Sequence, residues 1–435
     1  MAFRPQWRIF RLPSFRFHGT FRTNQMPGYF ALVFSITLVG VGLAVTRPYL
    51  SLYLTNQIHT SPVELGAFMC TNGIGGIIAS TWLGKKSDTG TPKKFIILLS
   101  CLSAGCGYAC FLFMHNYIQL LIFTTFLLGM GAAAFPQLFA YARESAIAST
   151  TSHPARTIAS LRAFFSFAWV VGPLFGAWGL SLLGYNGLFM STSLIYFLIF
   201  GVALLSLQRR QHTQIPKIES STLWKNLQRR EIFYSIIAFV FASTASSVNG
   251  MYMPLFVTRT IGAQEHVVGW VFSLSAGLEI PIMIGLSAVS EKIEKRKILL
   301  FGIICGILYY TGVIFTDAAW QMLILQVFCA IFIAIISSTG MSYFQDFMPE
   351  SAGSATTLFS NTNNIGSVAG SLLGGTIAQT LGFRAVYESN IGLALFAFFL
   401  LYLAKKRQPL KHSETNMAIH PSQSQHESVI FRQDK

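Results

Sequence analysis

The chain is 435 residues long, 52% of them hydrophobic and only 11% charged. A soluble domain carries about 25% charged residues, so this composition, with a mean hydropathy of +0.53, excludes an ordinary soluble enzyme. The net charge of +15 would raise nucleic acid as a partner in a soluble chain, but the lysines and arginines lie between apolar blocks and in the tails, which follows membrane topology instead.

Residues 1–27 carry Arg4, Arg8, Arg11, Arg16 and Arg22 among Phe and Trp, with no acid. With no apolar run, the stretch is not a secretory signal. It reads as a basic cytoplasmic tail held against anionic lipid; a translation start at Met26 and an organellar presequence are the alternatives. Beyond it, blocks long enough to cross about 30 Å of hydrocarbon, roughly 20 apolar residues each, recur at 28–54, 62–84, 94–115, 117–140, 157–183, 186–207, 232–258, 265–289, 297–316, 319–343, 353–380 and 384–404. These are numbered spans 1 to 12. All are predicted helices, because an isolated strand leaves its backbone unsatisfied in lipid. The polar segment 208–231 divides them six and six and reads as a cytoplasmic linker between two halves, 28–207 and 232–404, with 405–435 a C-terminal tail. The predicted fold class is an all-α membrane protein of twelve transmembrane helices in two pseudo-symmetric six-helix halves.

Orientation follows from the positive-inside rule. Lys85, Lys86, Lys93, Lys94, Arg143, Arg156, the linker cations and Lys292, Lys295, Arg296 and Lys297 share one side with both tails, whereas Arg259 and Arg384 fall on the other. Both termini are expected in the cytoplasm. The six cysteines all lie in apolar segments and read as small buried hydrophobes. With no metal-ligand spacing and no phosphate-cradling glycine loop, the reading is no cofactor, no metal, no enzyme and no ATP-driven pump. Coupling to an ion gradient, or facilitation, remains.

The halves repeat each other. Gly66, Asp88, Lys93 and Lys94 precede Gly269, Glu291, Arg296 and Lys297 by 203 residues; Gly172, Gly176 and Gly184 precede Gly370, Gly374 and Gly382 by 198. Glu144-Ser145-Ala146 recurs as Glu350-Ser351-Ala352. A parallel duplication puts a binding site between the halves near mid-depth, opened alternately to each side.

Candidate functional residues follow from the cost of polar groups in hydrocarbon. Gly84, Asp88, Lys93 and Lys94 of the loop after span 2 form an expected cytoplasmic clasp, an acid ending one helix and two cations opening the next; plain topology anchors are the alternative. Glu279, near the middle of span 8, is a candidate to carry a proton or bind a solute hydroxyl, with a structural hydrogen bond as the alternative. Arg162 in span 5 and Arg47 in span 1 are candidates to bind solute or pair with a carboxylate; snorkelling is the bland reading for both. Asn361 and Asn364 share a face of span 11, and their amides suit a polyhydroxylated solute. Asn249, Gln137 and Gln326 are further candidates, and Trp169 is placed to stack on a sugar face or simply to pack.

The spacing of Gly84, Asp88, Lys93 and Lys94 resembles the signature loop of the major facilitator superfamily, with its second glycine displaced. Gly172-Pro173 with Gly176 resembles the span-5 motif of the superfamily's exporters. More specifically, Pro136-Gln137-Leu138-Phe139-Ala140, Leu161-Arg162-Ala163, Ala276-Gly277-Leu278-Glu279-Ile280-Pro281 and Phe344-Gln345-Asp346 resemble the bacterial sugar efflux transporters, over about residues 28–405. The resemblance implies a proton-linked exporter of sugars in a bacterial inner membrane, with Arg162, Glu279, Gln345, Asp346 and Asn361 at positions of the branch's motifs. Glu291, Arg296, Gln345 and Asp346 would complete the cytoplasmic gate. Thr46-Arg47 departs from the branch, which tends to neutral residues there. The expected partners are a small-molecule solute, protons and the lipid bilayer, with no nucleic acid, and the chain is expected to act as a monomer. The alternative is an exporter of drugs or of a charged metabolite such as a siderophore.

Overall fold

The computed structural model describes residues 28–148, 154–208, 230–290, 292–348 and 352–404. The N-tail, most of the linker, the C-tail and Glu291 lie outside the described residues. All regular structure among them is helical. Among the described residues, ten helices are long and apolar enough to cross a membrane. One of them, Thr157–Ser206, breaks at Gly184, whose φ of 64° and ψ of −168° leave the helical region. Span 5 thus ends and span 6 begins there. Gly382, with φ of 85°, makes the matching break between spans 11 and 12. These two turns require a left-handed backbone that residues with a Cβ resist. Span 11, Ala352–Leu381, has thirty residues, but its run of hydroxyls, amides and glycines keeps it out of the apolar set. With these two adjustments the helices accommodate the twelve expected crossings.

Three departures from uniform helix are new. Span 4 is interrupted at Ala132 and Ala133, between helices Tyr117–Gly131 and Ala134–Ala148. Span 7 ends in a π turn, Phe256–Thr260, and span 10 carries another, Ile335–Thr339. Wide turns of this kind often mark functional positions.

Span 1 packs along spans 5 and 6, and span 7 along spans 11 and 12. Glycines permit this. A Cβ on Gly172 would stand 2.5 Å from that of Ala44, and one on Gly176 2.6 Å from the Val45 carbonyl. Gly370 and Gly374 meet Thr244 and Tyr252 in the same way. The Tyr49 hydroxyl donates to the Pro173 carbonyl (2.9 Å) and that of Tyr252 to the Ser371 carbonyl (3.4 Å). The Gly-Pro motif of span 5 is therefore a packing surface, copied between spans 7 and 11. Close backbone approach replaces hydrophobic driving force between helices in lipid. Outward-facing Phe126 and Leu205 are 68% and 87% exposed; a belt of such side chains is stable only against hydrocarbon.

The bundle has two ends. The basic face carries the turn Thr89–Pro92 and the starts of spans 3 and 9. The far face carries the connections at 57–61, 114–116, 261–264 and 315–318.

Candidate functional site

At mid-depth between spans 1, 7, 10 and 11 lies a cavity of about 240 Å³, lined by Arg47, Ser243, Ser246, Ser247, Ser337, Asn363, Asn364 and Ser367 together with Phe332, Ile333 and Ile336. Ser243, Ser246 and Ser247 stand three and four residues apart, so one face of span 7 presents all three. The π turn of span 10 contributes Ile336 and Ser337. Ser243 Oγ donates to Asn363 Oδ1 (2.7 Å), and Asn363 Nδ2 donates to the Phe359 carbonyl (3.2 Å). That pair fixes the wall. Among the described residues, the side chains of Ser246, Ser247, Ser337, Asn364 and Ser367 make no hydrogen bond, and so present free donors and acceptors to whatever enters. Arg47 lies before Pro48 on span 1 and opens into the same space.

Behind the wall, the Tyr309 hydroxyl donates to Asn249 Oδ1 (3.0 Å), and Asn249 touches Cys329 Sγ (4.0 Å). Ser275 Oγ lies 3.4 Å from Glu279 Oε1, and Cys329 feels both groups. Glu279 is half-buried and does not line the cavity. Gln326 Nε2 is spent on the Met322 carbonyl (3.0 Å).

The remaining candidates spread along the bundle. Asn361 lies exposed one turn from Asn364. Arg162 and half-buried Trp169 lie seven residues apart on the face of span 5 that meets span 8 nearer the far end. Gln137 is 6% exposed and accepts from Ser87 Oγ (3.1 Å); it belongs with the basic face, apart from the cavity.

At the basic face the expected partners are rearranged. Lys93 Nζ pairs with Glu144 (2.8 Å), where the sequence pointed to Asp88, and Asp88 is exposed at the end of span 2. The turn Thr89–Pro92 delivers Lys93 against the end of span 4. Lys94 Nζ donates to the Leu204 carbonyl (2.8 Å). In the second half Lys295 pairs with Asp346 (2.8 Å), and Arg296 donates to the carbonyls of Leu401 (3.0 Å) and Tyr402. Partners in both ion pairs are 51 residues apart. The structural repeat therefore runs at 202 residues here, so Lys93 matches Lys295 and Lys94 matches Arg296. In each copy one cation meets the acid ending span 4 or 10, and the other satisfies carbonyls at the C-terminal end of span 6 or 12, where cations are favoured. Gln345 Nε2 donates to Thr356 Oγ1 (3.1 Å), tying span 10 to span 11. A Cβ on Gly84 would meet open space.

The hydrogen bonds that join the two halves gather at the far face. Glu265 accepts from Asn56 Nδ2 (3.0 Å) and the Tyr185 hydroxyl (2.7 Å), and Arg259 Nη2 donates to Asn56 Oδ1 (3.1 Å). The Val63 amide donates to Gln379 Oε1 (3.2 Å). Gly66 abuts the Ser371 carbonyl, and Cβ atoms on Gly375 and Gly269 would lie 2.6 Å from the Pro62 carbonyl and the Tyr49 hydroxyl. The cavity is thus sealed toward the far face. The sequence reading missed this seal and the serine face; the three- and four-residue spacing of Ser243, Ser246 and Ser247 was the available signal for the latter.

A two-half helical bundle with a polar mid-depth cavity sealed at one end is the architecture of a membrane transporter. The sequence model of the Major Facilitator Superfamily matches residues 32–262 and again 235–432. Sugar efflux transporter A of Escherichia coli (strain K12) is 32% identical over 87% of this chain and 96% of its own length. Sugar efflux transporter C of the same organism is 33% identical over 85% and 93%. The crystal structure of the nucleoside transporter NupG superposes with a TM-score of 0.73 at 12% identity, covering 87% of this chain and 99% of that one, a likeness of fold alone. The chain belongs to the major facilitator superfamily and, within it, to the sugar efflux transporter family.

Proposed function

We propose that this protein is a secondary active exporter of sugars or sugar-like solutes, driven by proton exchange and working by alternating access as a monomer in a bacterial inner membrane. The positive-inside distribution of cations supports a cytoplasmic basic face and cytoplasmic termini. On that orientation the structure is the inward-facing state, sealed outside and ready to load from the cytoplasm. The halves, 28–207 and 232–404 with the linker between them, rock about the cavity. Asp88, Lys93, Lys94, Arg296, Gln345 and Asp346 act in closing the cytoplasmic side.

The observation that carries this reading is the cavity wall of unpartnered hydroxyls and amides at mid-depth, a lining that matches a polyhydroxylated solute and is costly in lipid without one. Similarity to two sugar efflux transporters supports the same substrate class and the direction. Glu279, a half-buried carboxyl near the middle of span 8, is the residue for proton coupling. Inside-out vesicles with an imposed pH gradient test the proposal: gradient-driven sugar uptake is expected, and Glu279→Gln is expected to uncouple uptake from the gradient. Full gradient dependence in that variant removes Glu279 from coupling, and no sugar uptake by the wild type overturns the substrate class. One observation favours a second reading, export of a charged metabolite such as a siderophore: the guanidinium on the cavity wall.

A further inference from the structure

The cavity has one formal charge on its wall, and that charge lacks a counter-ion within the protein. Arg47 opens into the space between spans 1, 7, 10 and 11. Among the described residues it makes no hydrogen bond and no ion pair. The ionisable group that faces it is the phenol of Tyr108 on span 3, itself 9% exposed and beside Thr46. The other polar groups of the wall are hydroxyls and amides. A guanidinium stays charged at any physiological pH and has five donors and no acceptor in a planar fork. Held at mid-depth in a membrane protein, such a cation requires a carboxylate, a phosphate or water opposite it. Snorkelling does not describe it, because its head lies in the cavity between the halves rather than at the lipid headgroups.

Position adds to the argument. Arg47 is the cavity's contribution from the first half, whereas the other lining groups, from Ser243 to Ser367, come from the second. A solute that bridges Arg47 to Asn364 and Ser246 joins the two halves across the space that must close. An anion on Arg47 gives that bridge a charge-assisted, bidentate end, about twice as strong as a neutral hydrogen bond, and discharges the cation that otherwise opposes closure into a drier site.

We infer that the transported solute carries an anionic group, a carboxylate or a phosphate, that docks on Arg47 while its hydroxyls bond to Asn364, Ser246, Ser247 and Ser337. This deepens the proposed function and rests on its reading of the cavity as the solute site. The test compares one sugar in three charge forms, glucose, glucuronate and glucose 1-phosphate, for binding to the purified full chain in lipid nanodiscs and for uptake into inside-out vesicles. One or both anionic forms are expected to bind more tightly than glucose by about 10- to 100-fold, the range for a hydrogen-bonded charged group. Which anion leads identifies carboxylate or phosphate. In Arg47→Gln the preference is expected to fall to near parity, and in Arg47→Lys to keep its sign at reduced size, because a point charge replaces a fork. Equal binding and uptake of all three forms by the wild type overturns the inference and leaves the transport reading standing. An anion preference undiminished in Arg47→Gln, with the variant melting within a few degrees of the wild type, also overturns it. Failure of all three to bind or enter overturns the transport reading and this inference together. Should Arg47→Gln not fold, the wild-type preference and its reduction in Arg47→Lys decide the matter.

Discussion

The two copies of the basic-face ion pair are chemically alike and differently buried, so their strengths are expected to differ. The Lys93 and Glu144 side chains are 9% and 15% exposed; those of Lys295 and Asp346 are 26% and 59%. Removing one partner of a buried pair costs about 3–5 kcal/mol, whereas exposed pairs contribute about 0–1 kcal/mol. Lys93→Ala is therefore expected to destabilise the detergent-solubilised protein by several-fold more than Lys295→Ala, as measured by parallel chemical unfolding. Equal losses would place the second pair in a more enclosed setting than its exposure indicates. At this scale the sequence was readable where a charge sits deep in a span: the cost of ionisable groups in lipid singles out Arg47, Arg162 and Glu279. It was unreadable at span ends. Glu265 and Asn56 stand where polar residues cost little, so nothing in their sequence context marks them as the partners they are. Pairing was also beyond reach, because Lys93 faces both Asp88 nearby in sequence and Glu144 one span further on, and the turn geometry decides between them.

Helices in this molecule are joined by missing side chains as much as by present ones. Gly176 of span 5 and Gly374 of span 11 receive the rings of Tyr49 and Tyr252, while Cβ atoms on Gly179 and Gly250 would meet open space. Adding a methyl at the first two positions overpacks a fitted contact, at a typical cost of about 1–3 kcal/mol. At the other two it relieves the flexibility of a helical glycine and is expected to stabilise by up to about 1 kcal/mol. Gly176→Ala and Gly374→Ala should therefore lower the melting temperature and Gly179→Ala and Gly250→Ala hold or raise it. A uniform effect of all four would show that the packed glycines serve flexibility and not fit. The span boundaries were legible from hydropathy to within a few residues except at the end of span 4, expected at 140, where the helix continues to Ala148. The interruption of span 4 at Ala132 and Ala133 and the π turn that carries Ser337 were not, because each responds to tertiary packing and leaves the apolar pattern intact. Span 11 shows the converse: its polar run argues against a membrane helix on hydropathy, and the structure places Asn363, Asn364 and Ser367 of it on the cavity wall.

Alternating access requires the far face to open after loading, so the contacts that hold it closed set the energy of that step. Here they combine two kinds. The glycines Gly66, Gly269 and Gly375 make tight uncharged contacts with backbone carbonyls and tyrosine hydroxyls, and the Glu265 cluster with Asn56, Tyr185 and Arg259 adds charge-assisted hydrogen bonds across the halves. Hydrogen bonds to a charged group contribute about 1.5–3 kcal/mol each when formed, and an equilibrium shift of that size changes the ratio of two conformations by about ten- to a hundredfold. The cluster is therefore expected to act as a latch that a shift of a few kcal/mol can open. Asn56 Nδ2 and Glu265 Oε1 are 3.0 Å apart, so cysteines at both positions can be bridged by a short bifunctional thiol reagent that spans the two side-chain lengths. In a chain whose six native cysteines are replaced, the Asn56→Cys, Glu265→Cys pair bridged by a short bis-methanethiosulfonate in the absence of solute is expected to stop uptake into inside-out vesicles past one binding event, to retain solute binding from the basic face, and to recover turnover on reduction. Loss of binding along with transport would mean that the cavity is reached from the far face, which reverses the orientation. Unimpaired turnover in the cross-linked protein would mean that the far-face contacts do not separate during the cycle, and the seal would then be a fixed part of the scaffold.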